Sequence, residues 1–435
     1  MATVGQARAR ESLAEFVGDA GVAAASPEDA VEGMQPALVV EPGSIEAAAG
    51  VLGWANEAGL SVAPRGGGTR MAWGNVPRAV DLVLSTRRLN RLVEHAAGDM
   101  TATVQCGLTL AALQAVLGEA GQMLALDVPF ADLATIGGLI ATNDSGPLRL
   151  RYGGIRDLVL GITLVRADGV VVKGGGKVVK NVAGYDLPKL LTGSLGTLGL
   201  LVEATFRLHP LPAESRTLLA RPASVEQAGA LILKILDSTL TPTGFALRWS
   251  DRAKCDLSLR LSGIAPSVEA QVEQAGKLLA QHDLDPELPD AADASAAWRD
   301  LGMEPWSADS EAIVARCGVL PTEIPALILA VGEAARTRGL QASAVVQAHG
   351  LGLIRLEAAE AGSTADQALL GAVDEVREGI AGHDGTLTVL SAPVSVKRRV
   401  DVWGPPPDSL PLMRRIKAQF DPKDTLNPGR FIGGI

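Results

Sequence analysis

"APRGGGTRMAWG", residues 63–74, sets three successive glycines behind an arginine, directly after the apolar run "LSVAP". A second stretch, "ATIGGLIATNDSG" at 134–146, is also small, glycine-dotted and poor in periodicity. Glycine tolerates unusual backbone angles and close approach, at an entropic cost. The first stretch therefore reads in two ways, as a bare turn or as a nest of amides aimed at an anion. In the nest reading Gly66, Gly67 and Gly68 bare the main chain, Thr69 adds a hydroxyl, and Arg65 adds a charge or a tether. The second stretch sets Thr135, Asn143 and Ser145 among Gly137, Gly138 and Gly146. Two such loops, separated by two strands and a helix, can pinch a pyrophosphate from both sides. Backbone amides supply the donors that burying such charge in an acidic chain requires.

The flanking pattern is mixed α/β. "PALVVEP" (36–42) reads as a strand, Ser44 as an N-cap, and the alanine-rich run to Ala58 as a helix. "DLVLS" (81–85) and "TATVQCG" (101–107) read as strands, and 110–121 as a helix stopped by Gly121. "LVLGITLVRADGVVVKGGG" reads as a hairpin turning at "ADG", and a strand follows from about Gly199 to Leu208. After Pro212 two β-α-β-β-α passes predict a ferredoxin-like sheet covered by helices. Residues 283–310, rich in Asp, Pro and Ala, read as an irregular connector. The tail predicts a helix near 409–420 and then a segment that returns to the body of the protein.

A chain of 435 residues is too long for one ordinary core and predicts two or three domains. At 47% hydrophobic and 3% aromatic, the core must be built mainly from Ala, Val and Leu. A net charge of −10 without a basic stripe excludes nucleic acid as the expected partner. Cys106, Cys255 and Cys317 are odd in number and far apart, which fits a reducing compartment rather than a disulfide framework. Apolar runs such as "LVLGITLV" (158–165) fall short of the ~20 residues of a membrane helix. The first residues lack the apolar stretch of a signal peptide. A cytoplasmic chain without a membrane span is expected, with peripheral docking through partners left open.

The usual mononucleotide signatures fail. "GSLGTLG" (193–199) spaces glycine every third residue, and "GGGKVV" has no Ser or Thr after its lysine. A nucleotide needs another architecture. "PRGGGT", "ATIGGLIATNDSG", "GYDLPKLLTGSLGTLGLLVEATFRLHP" and "FDPKDTLNPGRF" together resemble the vanillyl-alcohol-oxidase, or PCMH-type, FAD-binding family. Within it, "KVVKNVAGYDLPKLLTGSLGTLG" and the "DVWGPPP…LNPGRF" tail resemble the FAD-binding subunits of glycolate oxidase. The resemblance covers 36–212 and the tail; the middle matches by pattern.

That resemblance implies an α+β protein: a PCMH-type two-subdomain FAD-binding domain plus a ferredoxin-like α/β cap domain. The implied divisions are a 1–35 segment, the FAD domain at 36–212, the cap at 213–395 and a returning segment at 396–435. It implies that Arg65 to Thr69, and Thr135, Ile136, Gly137 and Gly138, hold the FAD pyrophosphate. Asn143 and Ser145 would lie near the ribityl chain or ring. The strand from Gly199, with Val202, would offer backbone groups to the adenosine or flavin edge, and Asn427 would approach the flavin from the cap side. Gly74 and Ala141 complete the implied cofactor set. Thr69 stands where covalent members often carry histidine, so noncovalent FAD is expected.

The departures concern chemistry. Related hydroxyacid-oxidising subunits carry "HxGDGNxH", where histidines help hold a metal. Here "AHGLGLIRL" (348–356) puts Ala348 and Arg355 at the histidine positions and Leu351 at the acid, with His349 one residue off. A ligand pair needs two neutral imidazoles. His95, His209, His282 and His383 show no ligand spacing, so no metal is expected. Oxidising a 2-hydroxyacid needs a base for the hydroxyl and cations for the carboxylate. Arg248 and Arg355 read equally well as salt-bridge partners, and no catalytic residue is assigned. Cys106, in its strand context, reads as a small buried hydrophobe. The resemblance thus implies an FAD-carrying subunit that relays electrons between a catalytic FAD subunit and an iron–sulfur subunit of glycolate oxidase. A self-sufficient FAD-dependent dehydrogenase of another hydroxyacid or alcohol, and a cofactor-free scaffold, are the alternatives.

Overall fold

The computed structural model describes residues 3–177, 184–251, 253–306 and 312–435. The 178–183 part of the "KVVKNVAGYDLP" motif and the 307–310 end of the expected connector lie outside the described residues. The chain forms two compact units. The first comprises Met1–Ser145, Gly154–Leu211 and Pro405–Ile435; the second comprises Gly146–Gly153 and Pro212–Gly404.

The strands described in the first unit are β1 (Val22–Ala24), β2 (Leu38–Val40), β3 (Val62–Arg65), β4 (Leu82–Ser85), β5 (Leu92–Ala96), β6 (Thr101–Gln105), β7 (Gln122–Met123), β8 (Val159–Val165), β9 (Val171–Gly175), β10 (Leu200–Arg207) and β11 (His209–Pro210). One sheet has the order β1-β2-β4-β3, with β4 parallel to both β2 and β3. Parallel neighbours require a crossover, and the helix Ile45–Glu57 supplies one between β2 and β3. Ser44 caps it, its hydroxyl accepting from the Ala47 amide at 3.1 Å. Ala48, Val51, Leu52 and Ala55 are fully buried, in one core with Leu38, Val40, Leu82 and Leu84. The segment before residue 36 is not featureless: a helix at Thr3–Val17 adds Ala9 and Leu13 to this core.

The second sheet has the order β5-β6-β10-β8-β9 and is antiparallel throughout. The β8–β9 hairpin turns through Gly169, at φ +82°. Sequence pattern did not announce β5, whose outer residues are exposed. The C-terminal segment extends the other sheet at β3. The Val62 amide donates to Thr425 O at 2.7 Å, and the Asn427 amide to Val62 O at 2.9 Å. Sequence separation is thereby erased: the tail becomes part of the floor under the glycine loop that leaves β3.

The second unit contains β12 (Glu214–Ala220), β13 (Gly244–Ser250), β14 (Ala253–Gly263), β15 (Ala312–Gly318), β16 (Gln341–Gln347), β17 (Leu351–Glu357) and β18 (Thr386–Ser391). Their order is β12-β14-β13-β16-β17-β15-β18, antiparallel at every pairing. The two β-α-β-β-α passes thus meet at β13 and β16 in mirrored order. The helices Val225–Leu236, Ala265–Ala280, Ile324–Arg338 and Ser363–Ala381 bury one face of the sheet. The 283–310 stretch is not wholly irregular. It holds a helix, Ala291–Met303, capped by Asp290, whose side chain accepts from the Ala292 and Asp293 amides. Alanine is the strongest helix former, and the clustered aspartates mark the start of the helix rather than a coil. Trp298 and Leu301 pack on Ala246, and Trp298 Nε1 donates to Thr217 Oγ1 at 3.0 Å. Among the described residues, no helix is long and apolar enough to cross a membrane.

Candidate dinucleotide site

The loop leaving β3 and the loop entering the short helix Ile136–Thr142 line one cavity in the first unit. Their contact explains two of the glycines. A Cβ on Gly66 would stand 1.9 Å from Thr135 Oγ1, and one on Gly67 would stand 1.7 Å from Leu133 O. Gly68 instead has open space and φ +84°. The glycine run therefore serves loop packing as well as exposure of main chain.

No hydrogen bond among the described residues uses the amides of Gly66, Gly67, Gly68 and Thr69. The second loop differs. The Ile136 amide donates to Leu108 O at 2.9 Å and the Gly137 amide to Cys106 O at 2.8 Å. Helix geometry denies the first-turn amides an intrahelical partner, so Gly138 is the amide of that turn left to face the cavity it lines. Thr135 is 3% exposed and its Oγ1 has no partner. Asn143 closes the helix in the left-handed region at φ 50°, with its Oδ1 buried and unpartnered. A buried unsatisfied polar group costs about 1–3 kcal/mol. The Thr135 hydroxyl beside the open amides fits a ligand rich in hydrogen-bonding oxygens, whereas Asn143 stands outside the cavity lining.

Arg65 acts as a tether. Its Nη1 donates to Asp29 Oδ1 at 2.7 Å. Burial raises the Asp29 pKa, but the hydrogen bonds from Arg65 and Ser26 outweigh it and hold the carboxyl below its ordinary value. The next arginine was not singled out by sequence. Arg70 donates to Asp144 Oδ2 from Nε at 3.0 Å and from Nη2 at 2.5 Å, to Pro129 O at 3.0 Å, and to Thr69 Oγ1 at 2.6 Å. It bolts the two loops together across 74 residues of sequence. The available signal was weak: an arginine ending "GGGTR" and an aspartate inside "TNDSG".

The returning tail closes the cavity. Asn427 lines it, 3% exposed, and donates from Nδ2 to Leu195 O at 2.7 Å. Arg430, also missed by sequence reading, is buried and donates to Met71 O at 2.5 Å and Trp73 O at 2.6 Å. Burial pulls its pKa down to about 10. Lys417 Nζ braces the neighbouring turn, donating to Thr197 O at 2.9 Å, Leu426 O at 3.0 Å and Asp421 at 2.6 Å.

Of the sequence-derived set, Arg65 to Thr69, Thr135, Gly137, Gly138, Ala141, Gly199 and Asn427 line the cavity. Ile136, Asn143, Ser145, Val202 and Gly74 do not. Val202 is fully buried, and its carbonyl accepts from the Cys106 amide. The Ser145 amide bonds to Asp144 Oδ1 at 2.9 Å. Gly74 packs against Leu195 and the Arg430 carbonyl. Cys106 is buried behind the second loop, and burial, with the Glu203 charge, raises its thiol pKa far above the ordinary value.

In the second unit, Ala348 is fully buried. Arg355 pairs with Glu357 at 3.1 Å and donates to Pro305 O at 3.2 Å. Arg248 pairs with Asp256 at 2.5 Å. Both ring nitrogens of His349 are buried without a partner. Burial, with the Arg149 charge, lowers its pKa to about 4. Among the described residues, no group of three His, Cys, Asp or Glu side chains is placed to hold a metal.

Residues 36–175 match the FAD binding domain family, and 401–431 match the C-terminal domain of FAD linked oxidases. The chain is 40% identical over 189 residues to D-2-hydroxyglutarate dehydrogenase of Xanthomonas citri pv. viticola, covering 43% of this chain and 40% of that one. It is 36% identical over 194 residues to glycolate oxidase subunit GlcE of Escherichia coli, covering 44% and 54%. With the mitochondrial D-2-hydroxyglutarate dehydrogenase of Bos taurus it shares 29% identity over 91% of this chain and 76% of that one. The matches thus span about half or less of the first two relatives' length. In fold the chain resembles p-cresol methylhydroxylase, with a TM-score of 0.80 and 17% identity over 98% of this chain and 97% of that one. Open amides, an orphaned buried hydroxyl and the two matched segments agree: the chain has the PCMH-type FAD-binding fold and takes FAD as its cofactor, and its matched segments are those of FAD-linked oxidoreductases.

Proposed function

We propose that the chain is the FAD-carrying subunit of a glycolate-oxidising complex, working with a catalytic FAD subunit and an iron–sulfur subunit. The observation that carries the reading is a pairing of strength and deficit. The dinucleotide cavity retains open amides at Gly66 to Thr69 and an unpartnered Thr135 hydroxyl. The 348–356 stretch, by contrast, offers Ala348, Leu351 and Arg355 where a hydroxyacid site needs ligands and a base, and Arg355 is engaged by Glu357. Similarity to the glycolate oxidase subunits GlcE and GlcD supports the assignment.

In this reading the Gly66–Thr69 amides and Gly138 hold the FAD pyrophosphate, Thr135 meets one of its oxygens, and Asn427 fixes the turn beside it. Bound FAD supplies a two-electron acceptor. The chain's own residues bind it, keep water from it and set the spacing of the loops around it. Thr69, whose hydroxyl accepts from Arg70, offers no nucleophile of the kind histidine provides, so the FAD is held noncovalently.

A second reading, a self-sufficient dehydrogenase of another 2-hydroxyacid, draws on the relatives named D-2-hydroxyglutarate dehydrogenase and on the unpartnered imidazole of His349. Anaerobic titration separates the two. The purified yellow chain should keep its flavin absorbance with glycolate, D-lactate or D-2-hydroxyglutarate, and should bleach only once a catalytic subunit is added. Rapid bleaching of the isolated chain by any one of these acids refutes the subunit reading and establishes the second.

A further inference from the structure

Two walls of the dinucleotide cavity are built from left-handed backbone. Leu195 and Gly196, in the turn before β10, sit at φ +52° and +68°, and Asn427, in the returning tail, at φ +46°. All three line the cavity. Leucine adopts the left-handed region only at a steric cost, and such a residue persists where its surroundings over-determine it. The Leu195 amide donates to Ala141 O at 2.8 Å, and its carbonyl accepts from Asn427 Nδ2 at 2.7 Å. The Gly196 amide makes no hydrogen bond among the described residues. It is an open donor on the cavity wall, outside the set that the sequence selected.

A buried ammonium ties these two walls to each other. Lys417 is the residue of the helix Leu410–Phe420 that is buried, while Leu412 of the same helix is exposed. An apolar side chain would dock that helix without desolvating a charge. The lysine instead engages all three of its donors. Nζ donates to Thr197 O at 2.9 Å, one residue past Gly196, and to Leu426 O at 3.0 Å, one residue before Asn427. Its third bond goes to Asp421 Oδ2 at 2.6 Å. Asp421 is itself buried, and it accepts from the Thr425 amide at 2.9 Å and the Leu426 amide at 2.7 Å. One ion pair therefore holds both turns, and charge-assisted hydrogen bonds give that hold a direction as well as strength.

We infer that Lys417 is a positioning residue for FAD. It does not line the cavity. Through Thr197 and Leu426 it sets the separation of the two left-handed walls, so that the Gly196 amide and Asn427 meet the cofactor together. The inference rests on FAD as the cofactor and not on the subunit reading, because its test needs neither glycolate nor a second subunit. FAD-free full-length chain is titrated with FAD, with fluorescence quenching for affinity, visible circular dichroism at saturation for the flavin's surroundings, and thermal unfolding for the fold. Lys417→Met should bind FAD about tenfold or more weakly, the scale of one lost hydrogen bond to a charged group. Its saturated flavin spectrum should differ from the parent's. Lys417→Gln, which keeps amide donors without the charge, should be weakened in the same way and takes its place should the apolar variant not fold. Leu13→Ala, a truncation in the core of the same unit, shows what instability does by itself. It should lower the Tm and keep the parental affinity and spectrum. The proposal is overturned if the Lys417 variants keep both, if Leu13→Ala weakens FAD equally, or if binding is lost only where the fold is lost.

Discussion

Arg70→Met tests whether the two glycine-rich loops are held at a working distance by one guanidinium. The Arg70 and Asp144 side chains are 7% and 13% exposed, so the pair counts as buried. Breaking a buried pair by removing one member costs about 3–5 kcal/mol, because the remaining charge is stranded. Asp144 keeps slight access to solvent and its backbone contact to Ser145, which puts the expected cost near the lower end, about 3 kcal/mol. Pro129 O and Thr69 Oγ1 lose their donor as well. Thermal unfolding of the FAD-free chain reads this cost, and fluorescence quenching on FAD titration reads the grip of the loops. The single variant should lose stability and bind FAD at least tenfold more weakly, since 1.4 kcal/mol of the lost order is a factor of ten in affinity. In Arg70→Met/Asp144→Leu the stranded charge is gone and most of the stability should return. FAD affinity should stay low, because apolar contact does not fix the loop spacing as directed hydrogen bonds do. The reasoning fails if Arg70→Met costs less than about 1 kcal/mol, the range of an exposed pair, or if the double variant binds FAD as the parent does.

Gly67→Ala, which drives a methyl into Leu133 O, should yield chain purified without flavin, whereas Gly68→Ala, strained only by its positive φ, should cost about 1–2 kcal/mol and keep its colour; the ratio of visible to ultraviolet absorbance decides. Thr135→Val removes a buried hydroxyl with no protein partner, so the FAD-free chain should be as stable as the parent or more so, while FAD binds about tenfold more weakly; equal affinity would show that the hydroxyl does not meet the cofactor. For His349 the folded pKa of about 4 lies below the ordinary 6.5, so the unfolded chain binds the extra proton first. Stability should therefore fall as pH drops from about 6.5 to about 4, by at most about 3 kcal/mol, and His349→Gln should flatten that slope in unfolding curves taken across the window.

Legibility followed the range of each signal. Ser44, the helix after it, the Gly121 stop and the "ADG" hairpin are local devices written within a few residues, and the structure has each of them. The helices at Thr3–Val17 and Ala291–Met303 were hidden because their apolar faces are narrow and their partners lie far along the chain: Leu13 in the core with Leu38, and Trp298 against Ala246. The strand β5 was hidden because none of its residues is buried and they carry no alternation to read.

The amino-acid sequence alone determined that this is an α+β chain with two bare loops, a repeated β-α-β-β-α pattern and a tail built to return. Those features rest on local propensity and on glycine's backbone freedom, which need no knowledge of the partner. Tertiary structure alone decided which amides stay open. Gly66 to Thr69 face the cavity, while Ile136 and Gly137 are consumed by Leu108 and Cys106. It also showed that Gly66 and Gly67 are demanded by Thr135 and Leu133, and that Arg70 and Asp144 meet across the site. Whether an amide is free, or a Cβ has room, depends on atoms brought close by folding from distant positions, and no local pattern encodes that distance.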